Sequence, residues 1–502
     1  MLHNLLNRIE RLGNRIPNPT FLFIVLCGLV LLISWACSML GFAATHPGTG
    51  LEISAQNLLN RDGLHKILAN TVSNFVQFAP VGTVLVAVMG IGIAEHSGLL
   101  STVLKATLLR APRKFLSFFV VLAGALSSLA ADTGYVVLIP LAALIFQAAG
   151  RNPLIGIMAA FAGVSGGFSA NLLIGPLDAI LAGISTEAAK LVAPEYEVNA
   201  AGNYYFIVCS TLLVAVVGTW VTECFIAKRF PNLDTPQSSA LNESIQPQER
   251  RALKWVAIFS LIFIAILMLG LIPDSGFLRD PESQSVLRSP FIQGIVTIIA
   301  LYAGLCGIIY GKVCGRYKGS SDFIAGMEQP MATMASYLVL MFFAAQFVNY
   351  FAWSNLGSIL AINGAVVLKS MSLPPALLLM VFVFMTASIN LFIGSASAKW
   401  ALIAPIFVPM LLLSGISPEA TQVAYRIGDS STNIITPLMP YFGVVVAFAQ
   451  KYQKDIGIGS IIAAMLPYSV ALLISWSFLM VIWVLFGWNL GPEAPILLPP
   501  PV

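Results

Sequence analysis

Apolar runs of 18 or more residues recur along this chain, and they commit it to a bilayer. Lipid offers no hydrogen bonds, so each run must satisfy its own backbone as a helix. Charged residues make up 10% of the 502, against about 25% in soluble domains. Too little polar sequence remains for a separate soluble domain. The expected fold is an all-α polytopic membrane protein. The first residues, "MLHNLLNRIERLGNRIPNP", read as a short basic amphipathic helix rather than a cleavable signal. The six cysteines stand singly, without metal or disulfide spacing.

About nine spans are expected: 20–44, 78–103, 152–182, 203–228, 254–273, 290–313, 328–352, 418–448 and 458–487. Two further apolar segments, 115–149 and 374–415, are too long for one span and are interrupted by "SSLAADTG" and "NLFIGSASAK". Each fits a re-entrant helical hairpin, whose apex backbone survives at depth only against protein or a water-filled cavity. With the N-terminus inside, 18 of the 26 lysines and arginines fall in cytoplasmic pieces and six in outside pieces, as the positive-inside rule requires. Nine spans then put the Pro-rich tail outside. The loop 228–254 links an N-terminal half (1–227) to a C-terminal half (255–502).

The halves resemble each other. "DTGYVVLIPL" (132–141) aligns with "SAKWALIAPI" (397–406), "GGFSANLLIGPL" (166–177) with "GDSSTNIITPL" (428–438), and "SGLLSTVL" (97–104) with "SNLGSILA" (354–361). The nine-span topology makes these repeats inverted, a pattern of alternating-access transporters with sites at the midplane between broken helices. In the segment "RIGDSSTNIITPLMP" (426–440), Gly428, Pro437 and Pro440 are expected to unwind the helix in mid-membrane, as Pro176 does for its counterpart. Ser169, Asn171, Ser431 and Asn433 then either cap the broken ends or offer oxygens to a cation.

Charge at depth is costly, about 2.5–3.5 kcal/mol at a helix centre, so it faces a cavity or a partner. Arg426 and Asp429 are three apart, on one helical face. Two readings stand: a structural ion pair inside one helix, or Arg426 on a substrate carboxylate with Asp429 carrying a proton or holding a cation. Asp178 is a second buried acid. Lys399 and Trp400 lie near the second apex with Ser395 and Ser397. Trp400 is either interfacial or placed to stack on an aromatic ring. Asn390, the Gly394 carbonyl, Asp429 and Asn433 are expected to converge on a cation, sodium rather than a zinc-like metal, since no histidine or thiolate is near. Proton coupling through Asp178 or Asp429 is the alternative.

The segments "ASINLFIGSASAKWALIAPIFVPM" and "YRIGDSSTNIITPLMPYF" resemble the AbgT family of bacterial inner-membrane transporters, and the likeness covers nearly the whole chain. The resemblance implies a transporter, not an enzyme. It implies p-aminobenzoyl-glutamate as substrate class, export of sulfonamide antimetabolites, and a homodimer with a basin open to the cytoplasm. Carried over by motif, Asp178, Asn390, Ser397, Trp400, Pro418, Arg426, Asp429 and Pro437 become pathway residues. No cofactor is expected beyond a coupling ion, and no nucleic-acid partner. A sodium-coupled dicarboxylate carrier of related architecture is the rival. An intramembrane serine protease at "GVSG" (163–166) fails for want of a histidine base in a later span. Paired inverted hairpins disfavour a passive channel.

Overall fold

The computed structural model describes residues 19–45, 52–109, 112, 115–130, 134–231, 245–273, 275–280, 289–436, 439 and 441–498. The basic N-terminal segment, most of the 228–254 loop, Asp132, Pro437, Pro440 and residues 499–502 lie outside the described residues. Eight helical runs among the described residues are long and apolar enough to cross a membrane. Two of the expected spans, 152–182 and 418–448, are each a pair of shorter helices.

The chain begins with α1 (Pro19–Met39), whose Phe23 packs edge-on to Phe347 at 5.7 Å. A short antiparallel pair, β1 (Ala43–Thr45) and β2 (Glu52–Ser54), follows. The helix α2 (Arg61–Val76) was expected to be a loop; its lysine, histidine and asparagines hide the period from a hydropathy reading, but Asn60 caps it by accepting from Gly63 N–H at 2.7 Å. Next come α3 (Ala79–His96) and α4 (Leu99–Leu109). The expected span 78–103 therefore turns a corner at Gly98, whose φ of +82° favours glycine.

The first hairpin is α5 (Leu116–Leu126), which runs into a 3-10 turn at Ser127–Ala130, and α6 (Ile139–Ala148), preceded by a π turn at Gly134–Leu138. Behind it lie α7 (Pro153–Phe161), an irregular stretch, and α8 (Pro176–Ala189) started by Pro176 at its first position. The helices α9 (Tyr204–Val221), α10 (Pro247–Leu271), α11 (Ile295–Val313), α12 (Ser320–Thr333) and α13 (Ala335–Trp353) follow. The expected span 328–352 is split after Pro330, which sits inside α12.

The second half then repeats the order of the first. A corner at Asn355 (φ 60°) leads into α14 (Leu356–Ser370). After it come the hairpin α15 (Pro375–Asn390) and α16 (Ala396–Leu413), then the interrupted pair α17 (Pro418–Asn433) and α18 (Phe442–Gln450). The left-handed residues Gly98 and Asn355 are partners in the sequence alignment of the two halves. Asparagine tolerates that conformation better than other side chains do. The helix α14 was not foreseen, because its polar Asn363 and Lys369 and its 15-residue length fall short of a span. Last is α19 (Ile458–Phe486), and residues 490–498 fold back over the start of α17: Ser417 N–H donates to Ile496 O and Leu498 N–H to Gly415 O, both at 2.9 Å.

Every residue of α17 is buried, although it is the most polar of the long helices. It runs unbroken through Gly428, against expectation, and ends at Asn433. Gly428 serves contact instead of unwinding: a Cβ there would lie 2.5 Å from Val383 O and 2.8 Å from Ala387 N of α15. Small residues let helix backbones approach closely inside a membrane. Gly→Ala in a helix interior ordinarily stabilises by roughly 0.5–1 kcal/mol. Here the methyl group meets backbone that cannot step aside, and overpacking of that kind costs about 1–3 kcal/mol. Gly428→Ala is expected to lower the melting temperature of the detergent-purified protein. A melting temperature at or above wild type would show that α15 and α17 do not touch there.

Candidate functional site

The polar residues of α17 sort into two stripes. Glu419, Gln422, Arg426 and Ser430 recur at three- and four-residue steps, so they share one face. That face meets the first half. Glu419 accepts from Tyr196 OH at 2.8 Å, Gln422 Oε1 from Ser185 OH at 2.8 Å, and Ser430 Oγ from Ser169 N–H at 3.0 Å. Arg426 donates Nη2 to Asp178 Oδ1 at 2.5 Å. Asp178 Oδ2 also accepts from Gly175 N–H at 2.7 Å, which caps α8. Arg426 and Asp178 are both buried.

The other stripe carries Asp429, Thr432 and Asn433 and meets the second hairpin. Asp429 Oδ1 pairs with Lys399 Nζ at 2.5 Å, and both side chains are almost wholly enclosed. Lys399 also donates to Asn390 Oδ1 and, at 3.4 Å, to Ile393 O. The Asn390 amide nitrogen reaches Asp429 O at 2.7 Å, with Thr432 Oγ1 and Asn433 Oδ1 at 2.9 Å each. Spacing puts Arg426 and Asp429 on one face, either as an ion pair within the helix or as separate substrate and coupling groups. The structure separates them: each has its counter-charge on a different element, because the second stripe is turned towards α15 and α16. Lys399 was seen in the sequence as a neighbour of the apex but not as a partner; a lysine inside "SAKWALIAPI" was the available signal. The 419-422-426-430 spacing is the sequence signal for the contacts of Gln422 and Glu419.

Asn390, Asp429 and Asn433 do converge, as expected for a cation site. Sodium does not fit among them in this arrangement, because the Lys399 ammonium already takes Asn390 Oδ1 and Asp429 Oδ1. A second unit charge about 4 Å from the ammonium would be repelled by about 4 kcal/mol at an effective dielectric of about 20. The Asn433 oxygen is likewise committed, to the Asn390 amide.

Trp400 is fully buried; its Nε1–H donates to Leu181 O at 3.2 Å and Ser185 Oγ at 3.1 Å. Its ring stacks on Tyr425 with centroids 4.6 Å apart. The aromatic partner sought for Trp400 is thus supplied by the protein. Tyr135, its aligned counterpart, stacks on Tyr441 at 4.5 Å. Ser397 sits in the first turn of α16, 3.5 Å from the capping Ser395 hydroxyl. Pro418 opens α17, eight residues or about 12 Å of helix from Arg426, and is not brought to the charged centre. Asn171 holds the irregular stretch before α8, accepting from Leu172 and Leu173 N–H and donating to Ser128 Oγ at 2.8 Å; the helix itself is capped at Gly175. Ser431 bonds back to Ile427 O at 2.6 Å within its own helix. Pro437 lies outside the described residues.

A crevice opens between α17 and the interrupted first-half helix, lined by Ser128, Phe168, Ser169, Asn171, Asp178 and Arg426, with Leu129 and Leu177 beside them. Ser169 Oγ and Arg426 Nε are buried there without a protein partner. An unmet buried donor costs about 1–3 kcal/mol, and both point to a polar guest. The crevice joins one guanidinium donor, one hydroxyl and apolar side chains, but in this arrangement its room is roughly that of a water molecule, well short of a substrate's.

Breaking a buried pair from one side costs about 3–5 kcal/mol, because a charge is left uncompensated. Arg426→Ala is therefore expected to depress the melting temperature sharply. Adding Asp178→Ala should recover much of the loss, whereas adding Asp429→Ala should deepen it. Recovery with Asp429→Ala instead would return the pairing to a single helix.

The chain matches the model of the family described as "AbgT putative transporter family" over residues 4–498. It is 36% identical over 484 residues to the p-aminobenzoyl-glutamate transport protein of Escherichia coli (strain K12), covering 96% of this chain and 95% of that protein. Its fold is similar to the crystal structure of the Alcanivorax borkumensis YdaH transporter, with a TM-score of 0.88 and 52% identity over 95% of this chain and all of that one. It is similar also to MtrF of Neisseria gonorrhoeae, which illuminates a class of antimetabolite efflux pumps, with a TM-score of 0.93 and 45% identity over 98% of this chain and all of that one. Likeness over that length, in sequence and in fold, makes this chain a member of the AbgT family of membrane transporters.

Proposed function

We propose that the chain is a bacterial inner-membrane secondary transporter of p-aminobenzoyl-glutamate and related p-aminobenzoate-like compounds, with sulfonamide antimetabolites among its exported cargo. A sodium or proton gradient drives it, and it works as a homodimer with its N-terminus in the cytoplasm and its C-terminus in the periplasm. The observation that carries the reading is the pair of buried unpartnered donors, Arg426 Nε and Ser169 Oγ, beside a narrow crevice that has to widen to admit a ring. A glutamyl carboxylate supplies acceptors for both donors, and the benzoyl ring supplies a flat apolar face. The Escherichia coli relative and MtrF support the same two cargo classes. The two hairpins are re-entrant and the repeats inverted, so that the charged centre sits between two gates.

Proteoliposomes holding the purified protein test this. Labelled p-aminobenzoyl-glutamate is expected to move under an imposed sodium or proton gradient, each applied alone. Arg426→Lys should lose most of that flux at unchanged yield, because a lysine has no Nε–H beside its terminal donors. Flux of an aliphatic dicarboxylate equal to that of the aromatic compound would favour the dicarboxylate carrier. Topology is checked separately: cysteines placed at Lys254 and Lys318 should label only from the cytoplasmic side, and one at Pro500 only from outside. Labelling of the last from the cytoplasm would undo the inversion.

A further inference from the structure

Lys399 is the fourth residue of α16, in its first turn. A cation is disfavoured there, since the helix dipole puts partial positive charge at that end. The side chain is nonetheless fully buried. Its ammonium has three N–H donors and three acceptors: a carboxylate oxygen of Asp429, the amide oxygen of Asn390 and the backbone carbonyl of Ile393. The Tyr425 ring lies 5.7 Å from Nζ. A carboxylate, an amide oxygen and a carbonyl make up the ligand set of a hard monovalent cation. The lysine stands where such an ion would bind.

The first half shows what this place looks like without charge. Ser128 and Asn171 precede Asn390 and Asn433 by the same 262 residues, and both pairs are in contact, at 2.8 Å and 2.9 Å. The polar hinge between hairpin and broken helix is therefore common to both halves. In the alignment, Lys399 corresponds to Gly134 and Asp429 to Gly167. Neither glycine has room for a side chain: a Cβ would lie 2.2 Å from Ser127 Oγ at Gly134 and 2.4 Å from Gly163 O at Gly167. The hinge packs without the charges, and in the second half the charges arrive as a pair.

We infer that Lys399 is a tethered cation occupying an ion pocket made by Asp429, Asn390 and the Ile393 carbonyl, and that its ammonium and a free sodium ion exclude each other. Sodium enters when the lysine withdraws from Asp429, and the flexible four-carbon stem gives it the means to do so. Movement of α16 against α17 would then decide which cation the pocket holds. The inference rests on the gradient-driven transport proposed above and assigns its ion site. It is tested by binding rather than by flux, so that the two can fail separately.

The purified full-length protein is melted in sodium chloride and in choline chloride of equal ionic strength, and retention of radioactive sodium is measured. Wild type is expected to show no sodium-specific rise in melting temperature. Lys399→Met leaves Asp429 unpaired, so it should melt below wild type in choline, recover in sodium, and retain about one sodium per chain with at least tenfold tighter binding. Lys399→Met with Asp429→Asn should be stable and indifferent to sodium. Wild type binding sodium as tightly as Lys399→Met would overturn the inference. So would a folded Lys399→Met that retains none, or one that fails to fold in both salts while the double variant folds in both. Sodium retention without any flux of p-aminobenzoyl-glutamate would refute the proposed substrate and leave the pocket standing.

Discussion

Charge inside a membrane protein must be neutralised on the spot, and here the two buried ion pairs on α17 organise what surrounds it. Arg426 ties that helix to Asp178 and thus to the first half. Asp429 ties it to Lys399 and thus to the hairpin of its own half. A helix buried along its whole length would ordinarily be apolar on all sides. This one is polar on two stripes, and its neighbours are placed so that each polar group finds a counterpart. The exception on the helix, Arg426 Nε, and the unpartnered Ser169 Oγ of the facing first half belong to residues that line one crevice. The separation of the two stripes keeps that crevice apart from the lysine-filled pocket while joining both to the same rigid rod.

Much of the architecture was legible because lipid narrows the choices. Segment length and a polar interruption identified both hairpins, and prolines near the interruptions marked both broken helices. The repeat was visible as aligned polar motifs, and the dihedral angles of Gly98 and Asn355 reinforce it from a property that side-chain similarity does not encode. What stayed hidden was pairing. Spacing along a helix shows which residues share a direction, not what lies in that direction. Arg426 and Asp429, three apart, could pair with each other or act separately; the tertiary fold gives each another mate.

Two residues show how one chemical type serves different ends. Gly428 read as a breaker because it lay near prolines, but a glycine inside a continuous helix is there for closeness, and the α15 backbone occupies the space its side chain would have used. Trp400 read as either an interfacial residue or one placed to stack on an aromatic ring. The structure makes it a strut, stacked on Tyr425 and hydrogen-bonded to α8 across the two halves. The two cases share one lesson: a sequence shows the capacity of a residue, whereas packing determines which capacity is used.

The return of residues 490–498 onto the corner before α17 bears on the order of assembly. The central helix acquires its last backbone partners, Ile496 for Ser417 and Leu498 for Gly415, only after α18 and α19 have been synthesised. Translation proceeds at about 5–20 residues per second, so that corner stays open for seconds after α17 is made. Its charges must be shielded in the interval by the first half and the second hairpin, which are already inserted. The biogenesis of the protein therefore favours a chain in which both counter-charges, Asp178 and Lys399, precede the helix they neutralise, and in this sequence both do.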